Sequence, residues 1–164
     1  MTHIESEIRI NTPKEKVWDI LADFGRVVNY NPNISDSHST SKNSGGSGAT
    51  RHCDVLPMGS VEERITDWKE GEGYGIEIFD GKKVAPFKHA LGHLKVRGEG
   101  NQTVASISFD YQLKYGPVGW LMNGLVVKSQ FKKALPSLLE GLKFYAETGQ
   151  QATREALKQA HAPA

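Results

Sequence analysis

The chain has few of the features that mark whole classes of protein. Cys53 is its single cysteine, so the sequence holds neither a disulfide framework nor a multi-cysteine metal site. No stretch approaches the roughly 18 consecutive apolar residues of a membrane-spanning helix, and the first residues lack the pattern of a secretory signal. The 20 Lys and Arg nearly balance the 19 Asp and Glu, which leaves no broad basic surface for nucleic acid. We therefore expect a cytoplasmic protein with no nucleic-acid partner and no integral membrane association.

The length of 164 residues suits a single domain. On folding, such a chain buries roughly 70% of the surface that the unfolded chain exposes, so it needs no disulfide bonds to stabilise it. We expect this domain to cover residues 1–148, with Thr148-Gly149 ending its last helix. Residues 149–164 are rich in Ala and Gln. This composition predicts a tail that is loosely helical or disordered.

Residues 2–115 alternate between strand and turn signals, with one early helix after the first strand. Residues 2–11 have the two-residue period of a half-buried strand. Thr12-Pro13-Lys14-Glu15 then predicts a helix start, with Thr12 as N-cap and Glu15 completing a capping box, and the helix should end near Asp23. Glycine-rich and Asp-Gly turns separate the segments that follow. These segments predict six further strands, at 34–41, 50–56, 60–69, 74–80, 87–97 and 103–115.

A long helix is expected at 116–147, and it is more apolar at its front than one core face requires. One apolar stripe has spacings of three, four and seven residues along the helix. Further apolar residues lie beside that stripe near Trp120, and such an excess favours contact with a ligand, a partner or a lipid, or burial under loops. Pro136 should bend the helix and let its front half move. The stripe consists of Trp120, Val127, Phe131, Leu135, Leu138, Leu142 and Tyr145.

Asn29-Tyr30-Asn31-Pro32-Asn33 ends any continuation of the early helix and could hold a short second helical turn. The resulting order of one strand, two helices, six strands and a long helix resembles the START-like, Bet v 1-like (SRPBCC) superfamily, in particular its polyketide cyclase/dehydrase branch. The resemblance covers about residues 3–147. Its carriers are Ile10 to Trp18 at the first strand–helix junction, Gly48-Ala49-Thr50-Arg51, Val61 to Asp67, and Leu138 to Lys143. It implies an α+β helix-grip fold, in which a seven-stranded curved antiparallel sheet wraps around the C-terminal helix and encloses an apolar cavity. It does not fix one activity, because one fold serves many functions.

The resemblance and the alternation of the strands together suggest which side chains line the cavity. Most of the suggested positions are apolar, and the polar exceptions are Arg51, Glu63, His89 and His93. A bulge at Leu91 to Leu94 could reverse the phase of the sixth strand. The suggested ligand-binding residues are Arg51, Val55, Glu63, Tyr74, Ile76, Ile78, Phe87, His89, His93, Ile107, Phe109, Tyr111, Trp120, Val127 and Phe131.

The polar candidates allow several roles. Arg51 and Glu63 could orient a polar group of an otherwise apolar ligand, or they could form a cross-strand ion pair. His89 and His93 are four residues apart on a strand, which spans roughly 13 Å, so one metal ion could not bind both. We expect no metal and no cofactor. His89 could act as a general acid or base, with Glu63 or Tyr111 as partner, or could be a hydrogen-bonded cavity histidine.

Three functions remain open at this point. The leading prediction is a protein, monomeric or homodimeric, that binds a small hydrophobic or amphipathic ligand such as a lipid, a polyketide-like molecule or an aromatic molecule. The first alternative is a metal-free cyclase or dehydratase that uses the His, Glu and Tyr of the cavity. The second is an interaction module that docks through the apolar front of the terminal helix. Lys128, Lys132 and Lys133 beside Phe131 also allow weak peripheral docking to an anionic membrane.

Overall fold

The computed structural model describes residues 1–163 and has the predicted order of elements. None of the helices in this range is both long enough and apolar enough to cross a membrane. The strands are Thr2–Ile10 (β1), Ile34–Ser39 (β2), Thr50–Val55 (β3), Ser60–Lys69 (β4), Gly73–Lys82 (β5), Phe87–Glu99 (β6) and Gln102–Leu113 (β7). The helices are Lys14–Ala22 (α1), a 3₁₀ helix at Phe24–Asn29, Gly116–Met122 (α2), a π-helical segment at Asn123–Val127, Lys128–Thr148 (α3) and Arg154–Ala160 (α4).

The seven strands form one antiparallel sheet in the order β1-β7-β6-β5-β4-β3-β2. Neighbours in sequence pair as hairpins from β2 to β7, and β1 closes the sheet against β7. The glycine-rich loop between β2 and β3 is the hairpin connection that the sequence predicts. The loop packs closely on the end of α1, as shown by Gly45, where an added Cβ would lie only 2.7 Å from the Ala22 carbonyl oxygen.

The start of α1 differs from the sequence prediction. Pro13, not Thr12, occupies the N-cap position, and no side chain caps the helix, so the predicted capping box is wrong. The reason is a tertiary contact: Thr12 is buried, and its carbonyl accepts a 2.7 Å hydrogen bond from the Thr103 hydroxyl on β7. This contact ties the strand–helix junction to the sheet and leaves helical geometry to begin at Lys14.

The terminal helix is continuous in direction but not uniform. α2, the π-helical segment and α3 follow one another in right-handed helical geometry, and α3 continues through Pro136 to Thr148. The turn with π-helical hydrogen bonding lies earlier, at Asn123–Val127, and the bend at Pro136 stays a prediction. As predicted, α3 is capped by Gly149, whose N–H donates a 2.8 Å bond to the Tyr145 carbonyl.

A π turn holds more residues than an α turn, so the apolar stripe of α3 does not continue in phase into α2. The fully buried residues of α3 are Leu139, Leu142 and Ala146, whereas Trp120, which the sequence places on the stripe, is 77% exposed. In α2 the buried residue is Gly119, whose Cβ position would lie only 2.1 Å from the Lys114 carbonyl oxygen. The helix therefore turns a glycine toward the sheet and its large apolar side chains away from it.

The tail forms a short helix that docks on the domain. Ala152 and Leu157 are buried, and the Ala152 N–H donates a 2.9 Å hydrogen bond to the Asn29 carbonyl. The side chain of Thr153 caps α4 by accepting a hydrogen bond from the Ala156 N–H. The described part of the tail is therefore more ordered than its composition suggests.

Two glycines of the terminal helix, Gly141 and Gly124, make a matched pair for a test of its placement. A Cβ at Gly141 would lie 2.2 Å from the Tyr30 carbonyl oxygen, whereas a Cβ at Gly124 would meet nothing within 4 Å. We expect Gly141→Ala to lower the free energy of unfolding by about 1–3 kcal/mol through overpacking. Gly124→Ala should raise it by up to about 1 kcal/mol through helix propensity. Urea unfolding measures both, and equal effects would contradict the close contact at Gly141.

Candidate functional site

The concave face of the sheet carries the side chains that the sequence predicts for β3, β4, β5 and β7. Directly opposed residues of an antiparallel pair point to the same face. Arg51 opposes Glu63, and Glu63 in turn opposes Ile78. Further along the sheet, Gly92 on β6 opposes both Ile76 on β5 and Phe109 on β7. These pairs place the predicted residues of four strands on one surface, below α3 and the 3₁₀ helix.

The sixth strand has the opposite phase, so the predicted positions of His89 and His93 are wrong. The register of β6 on β7 shifts between Phe87 and His89, two residues before the stretch where the sequence analysis allowed a bulge. Phe87 points inward, whereas His89 is exposed and His93 opposes Gly75 on the outer face. The inner positions of β6 are occupied instead by buried residues: Ala90, Gly92, Leu94 and Val96.

Arg51 is buried at one end of the concave face, where three partners hold it. Its Nε and Nη2 each lie 2.6 Å from Glu63 Oε2, and Nη1 donates a 2.7 Å bond to the Phe24 carbonyl oxygen. The guanidinium carbon also lies 3.9 Å from the centre of the Phe24 ring. Burial alone would lower the pKa of Arg51, but the Glu63 carboxylate more than offsets this and raises it. The guanidinium is therefore a fixed positive charge in the protein interior.

Two tyrosines and the cysteine surround this ion pair. Tyr74 donates a 2.9 Å hydrogen bond to the Leu21 carbonyl, and burial raises the pKa of Tyr74 and of Tyr30. Cys53 Sγ lies 3.7 Å from Glu63 Oε2, and burial together with that carboxylate raises the pKa of the Cys53 thiol. All three groups are therefore neutral at physiological pH. The polar atoms of Arg51 and Tyr74, which the sequence assigns to a ligand, bond to the protein itself.

Glu63 is the polar residue of this cluster that still reaches solvent. Its side chain is 15% exposed, and all its hydrogen bonds to residues 1–163 use Oε2. No side-chain oxygen in that range is both buried and unpaired, so Oε1 is accessible to solvent. The carboxylate thus has one oxygen fixed by Arg51 and one free to accept a hydrogen bond.

Aromatic rings fill part of the space between the sheet and α3. Phe131 on α3 lies 4.6 Å from Phe109, 5.3 Å from Tyr111 and 5.9 Å from Phe87, measured between ring centres. Val127 is buried beside them. The predicted residues Phe87, Phe109, Tyr111, Val127 and Phe131 therefore come together as a packed cluster, in which Phe87 and Phe131 stay half-buried.

The hydroxyl of Tyr111 belongs to a polar contact that the sequence analysis missed. It donates to Asn123 Oδ1, and Asn123 Nδ2 donates a 2.9 Å bond to Thr2 Oγ1. Asn123 begins the π-helical segment, so this contact joins that segment to β7 and β1. Burial raises the pKa of Tyr111. A cavity of about 340 Å³ lies next to this contact, between α2 and the end of β7, and Trp120 lines its rim.

Five of the predicted apolar residues remain half-buried at the concave face. They belong to β3, β5, β6 and α3 and pack against the core without being buried in it. α3 packs most extensively on β1, and the pairing of β5 with β6 ends at Glu77 and Leu91. Beyond that point β5 and β6 are not paired with each other, and α3 packs mainly at the β1 edge of the sheet, away from β3 to β5. We call this surface the open inner face: Val55, Ile76, Ile78, Phe87 and Phe131.

The three weak catalytic candidates do not meet. His89 is on the outer face of the sheet, Glu63 is paired with Arg51, and the Tyr111 hydroxyl is bonded to Asn123. Within residues 1–163, no group of three His, Cys, Asp or Glu side chains could hold a metal ion. What the concave face offers chemically is an apolar surface with one hydrogen-bond acceptor at its edge.

Comparison with protein families gives the class to which this arrangement belongs. The model of the family described as polyketide cyclase / dehydrase and lipid transport matches residues 1–147. The chain therefore belongs to this family. No curated protein is significantly similar to it in sequence.

Solved structures share the fold at low sequence identity. A START superfamily protein from Mycobacterium smegmatis has a TM-score of 0.72 at 16% identity, with 90% of this chain and 99% of that one covered. The protein TTHA0849 from Thermus thermophilus has a TM-score of 0.75 at 18% identity and the same coverage. Ara h 8.0201 has a TM-score of 0.71 at 16% identity, covering 90% and 98% of the two chains. These similarities establish a START-like, Bet v 1-like helix-grip fold.

The ion pair at the end of the concave face gives a direct test of its burial. We expect Glu63→Gln to lower the free energy of unfolding by about 3–5 kcal/mol, because the buried guanidinium of Arg51 loses its counter-charge. The matched control is Glu77→Gln, which breaks an exposed cross-strand pair with Arg64 and should cost at most about 1 kcal/mol. Denaturant unfolding at neutral pH measures both. Equal losses would show that Arg51 is not buried as described.

Proposed function

We propose that the protein binds a small apolar or amphipathic molecule against the open inner face. The observation that carries this proposal is the unequal burial of the concave face. Ile65, Leu94, Ala105 and Phe109 are almost completely buried there, whereas Val55, Ile76 and Ile78 remain half-buried although they have the same orientation. Contiguous apolar surface that stays in contact with water is typical of ligand-binding grooves.

The energetic basis of binding is the burial of this apolar surface. Removing apolar surface from water yields about 25 cal/mol per Å², and completing the burial of one aliphatic side chain yields at most about 1.5–3 kcal/mol. Several half-buried residues together can therefore supply micromolar affinity, which corresponds to about 8 kcal/mol. The aromatic cluster around Phe131 limits the length of the ligand toward the front of the helix.

Glu63 supplies the polar contact of the proposed site. Its Oε1 accepts a hydrogen bond, and Ile78, directly opposite Glu63 on the neighbouring strand, belongs to the open inner face. Because Arg51 already balances the charge of the carboxylate, a neutral donor such as a hydroxyl suits this position. A ligand carboxylate would instead place two acceptors against each other.

Binding fits these residues better than proton transfer does. The family description includes cyclases and dehydrases, but a cyclase of the type considered from the sequence needs a general acid or base beside the ligand. Among the three candidates for that role, His89 lies on the outer face, the Tyr111 hydroxyl is bonded to Asn123, and one oxygen of Glu63 is held by Arg51. We therefore propose a binding protein and keep lipid, polyketide-like and aromatic molecules as candidate ligand classes.

A fluorescence titration with N-phenyl-1-naphthylamine, which brightens in apolar surroundings, tests the site. We expect Ile78→Ser to weaken probe binding by about 10-fold, because one aliphatic contact is lost and a hydroxyl is left in its place. The matched control is Leu91→Ser, which alters a half-buried residue on the outer face of the neighbouring strand. It should leave the affinity unchanged.

Competition then tests the polar contact without altering Glu63. Dodecanol should displace the probe at lower concentration than dodecanoate does, since the carboxylate is repelled at Oε1. The proposal fails if the wild-type protein does not bind the probe, or if both serine variants bind it as tightly as the wild type. A preference for dodecanoate would contradict the assigned role of Glu63 while leaving the apolar site intact.

A further inference from the structure

A second apolar surface lies at the front of the terminal helix, away from the open inner face. Trp120 is 77% exposed and Leu125 is 71% exposed, and their neighbours in α2 and the π-helical segment are exposed as well. We call this surface the front patch: Val118, Trp120, Leu121, Leu125 and Val126. Monomeric proteins seldom expose so many large apolar side chains in one short segment unless something covers them.

The local structure explains why these residues point outward. Gly119 is the residue of α2 that packs on the end of β7, where a side chain would clash with the Lys114 carbonyl. The π-helical segment then places Val127 inward while Leu125 and Val126 remain outside. The front patch is therefore exposed because of the way in which α2 and the π-helical segment pack on the sheet. These segments are not detached from the domain.

The charges beside the front patch have one sign. Between Asp110 and Glu140 the sequence contains four lysines and no acidic residue, although the whole chain has 20 Lys and Arg against 19 Asp and Glu. All four lysines are exposed. Each of these lysines lies within eight residues of a front-patch residue in the sequence, either in the same helical segment or in the turn that precedes it. These lysines are Lys114, Lys128, Lys132 and Lys133.

An anionic lipid surface is the occupant that fits both features. Apolar side chains of a surface helix enter the boundary between headgroups and acyl chains, tryptophan favours that boundary, and lysines beside it are attracted to anionic headgroups. A second copy of the chain fits less well, because a symmetric contact between two front patches would bring their lysines together without an acidic partner from the same segment.

We propose that the front patch and its four lysines dock the protein on an anionic membrane surface. The docking is peripheral, and no part of the helix spans the bilayer. This inference does not depend on the proposed ligand, because the contact is made outside the open inner face. If both are correct, the protein takes up or releases its ligand at a membrane.

Flotation with vesicles of phosphatidylcholine, with and without phosphatidylserine, tests the proposal. We expect the wild-type protein to float with the phosphatidylserine vesicles and to bind pure phosphatidylcholine at least about 10-fold more weakly. Of the three tryptophans, Trp120 is the one with a largely exposed ring, whereas Trp18 is buried and Trp68 half-buried. A blue shift of the intrinsic fluorescence should therefore accompany binding and should be absent in Trp120→Phe.

Two matched pairs of variants separate the apolar and electrostatic contributions. Trp120→Ser with Leu125→Ser should weaken vesicle binding at least about 10-fold, whereas Met58→Ser with Phe79→Ser, at other exposed apolar positions, should not. Lys128→Glu with Lys132→Glu should also weaken it about 10-fold or more. Lys16→Glu with Lys95→Glu changes the net charge equally at exposed sites elsewhere and should have little effect.

Three results would overturn the proposal. The first is an absence of wild-type binding to the phosphatidylserine vesicles at low salt. The second is equal loss of binding in the test and control pairs, which would indicate non-specific adsorption. The third is a wild-type dimer in sedimentation that Trp120→Ser with Leu125→Ser converts to a monomer, because the front patch would then be a contact between two copies of the chain. All these experiments use ligand-free protein, so their failure leaves the proposed ligand site untouched.

Discussion

The close contact between α3 and the chain segment after the 3₁₀ helix positions the rest of the molecule. Gly141 lies so near the Tyr30 carbonyl that no side chain fits between them, and Leu139 and Leu142 beside it are fully buried. The rear of the helix is thereby fixed over β1. α3 makes its main sheet contacts with β1 and β7, and Val55, Ile76 and Ile78 on β3 and β5 stay half-buried. Its front end extends past the sheet and presents the front patch.

The buried ion pair closes one end of the concave face and gives the open inner face its polar edge. Arg51 is held by Glu63 and by the Phe24 carbonyl, so it connects β3 to β4 and to the 3₁₀ helix. An isolated buried charge would be strongly unfavourable, and pairing with hydrogen bonds makes it tolerable. The same pairing leaves a single oxygen of Glu63 available. One interaction therefore serves both the fold and the proposed specificity for a hydrogen-bond donor.

The sequence predicted the order of the elements, the family and the facing of four strands, because two-residue alternation and turn residues act locally. It predicted β6 incorrectly, because the register shift between Phe87 and His89 reverses the orientation of every later side chain. The correct phase is visible further along the strand, where polar and apolar residues alternate from His93 to Arg97. It also placed Trp120 on the buried stripe. The π-helical segment that displaces Trp120, and the contact of Asn123 with Tyr111 and Thr2, depend on tertiary packing. The sequence left two roles open for Arg51 and Glu63, namely a polar contact to a ligand and a cross-strand ion pair. Which of the two applies depends on the path of the 3₁₀ helix, which the sequence does not show.

The central claim is that part of the concave face is open to small molecules. Methyl NMR of the isoleucines in the presence of a soluble nitroxide tests it most directly, since the nitroxide broadens methyl signals that it can approach. Ile76 and Ile78 are half-buried, whereas Ile10 and Ile65 are almost completely buried. We expect the Ile76 and Ile78 signals to broaden in the ligand-free protein, those of Ile10 and Ile65 to stay sharp, and N-phenyl-1-naphthylamine to protect the first pair. Equal protection of all four residues in the ligand-free protein would contradict the claim.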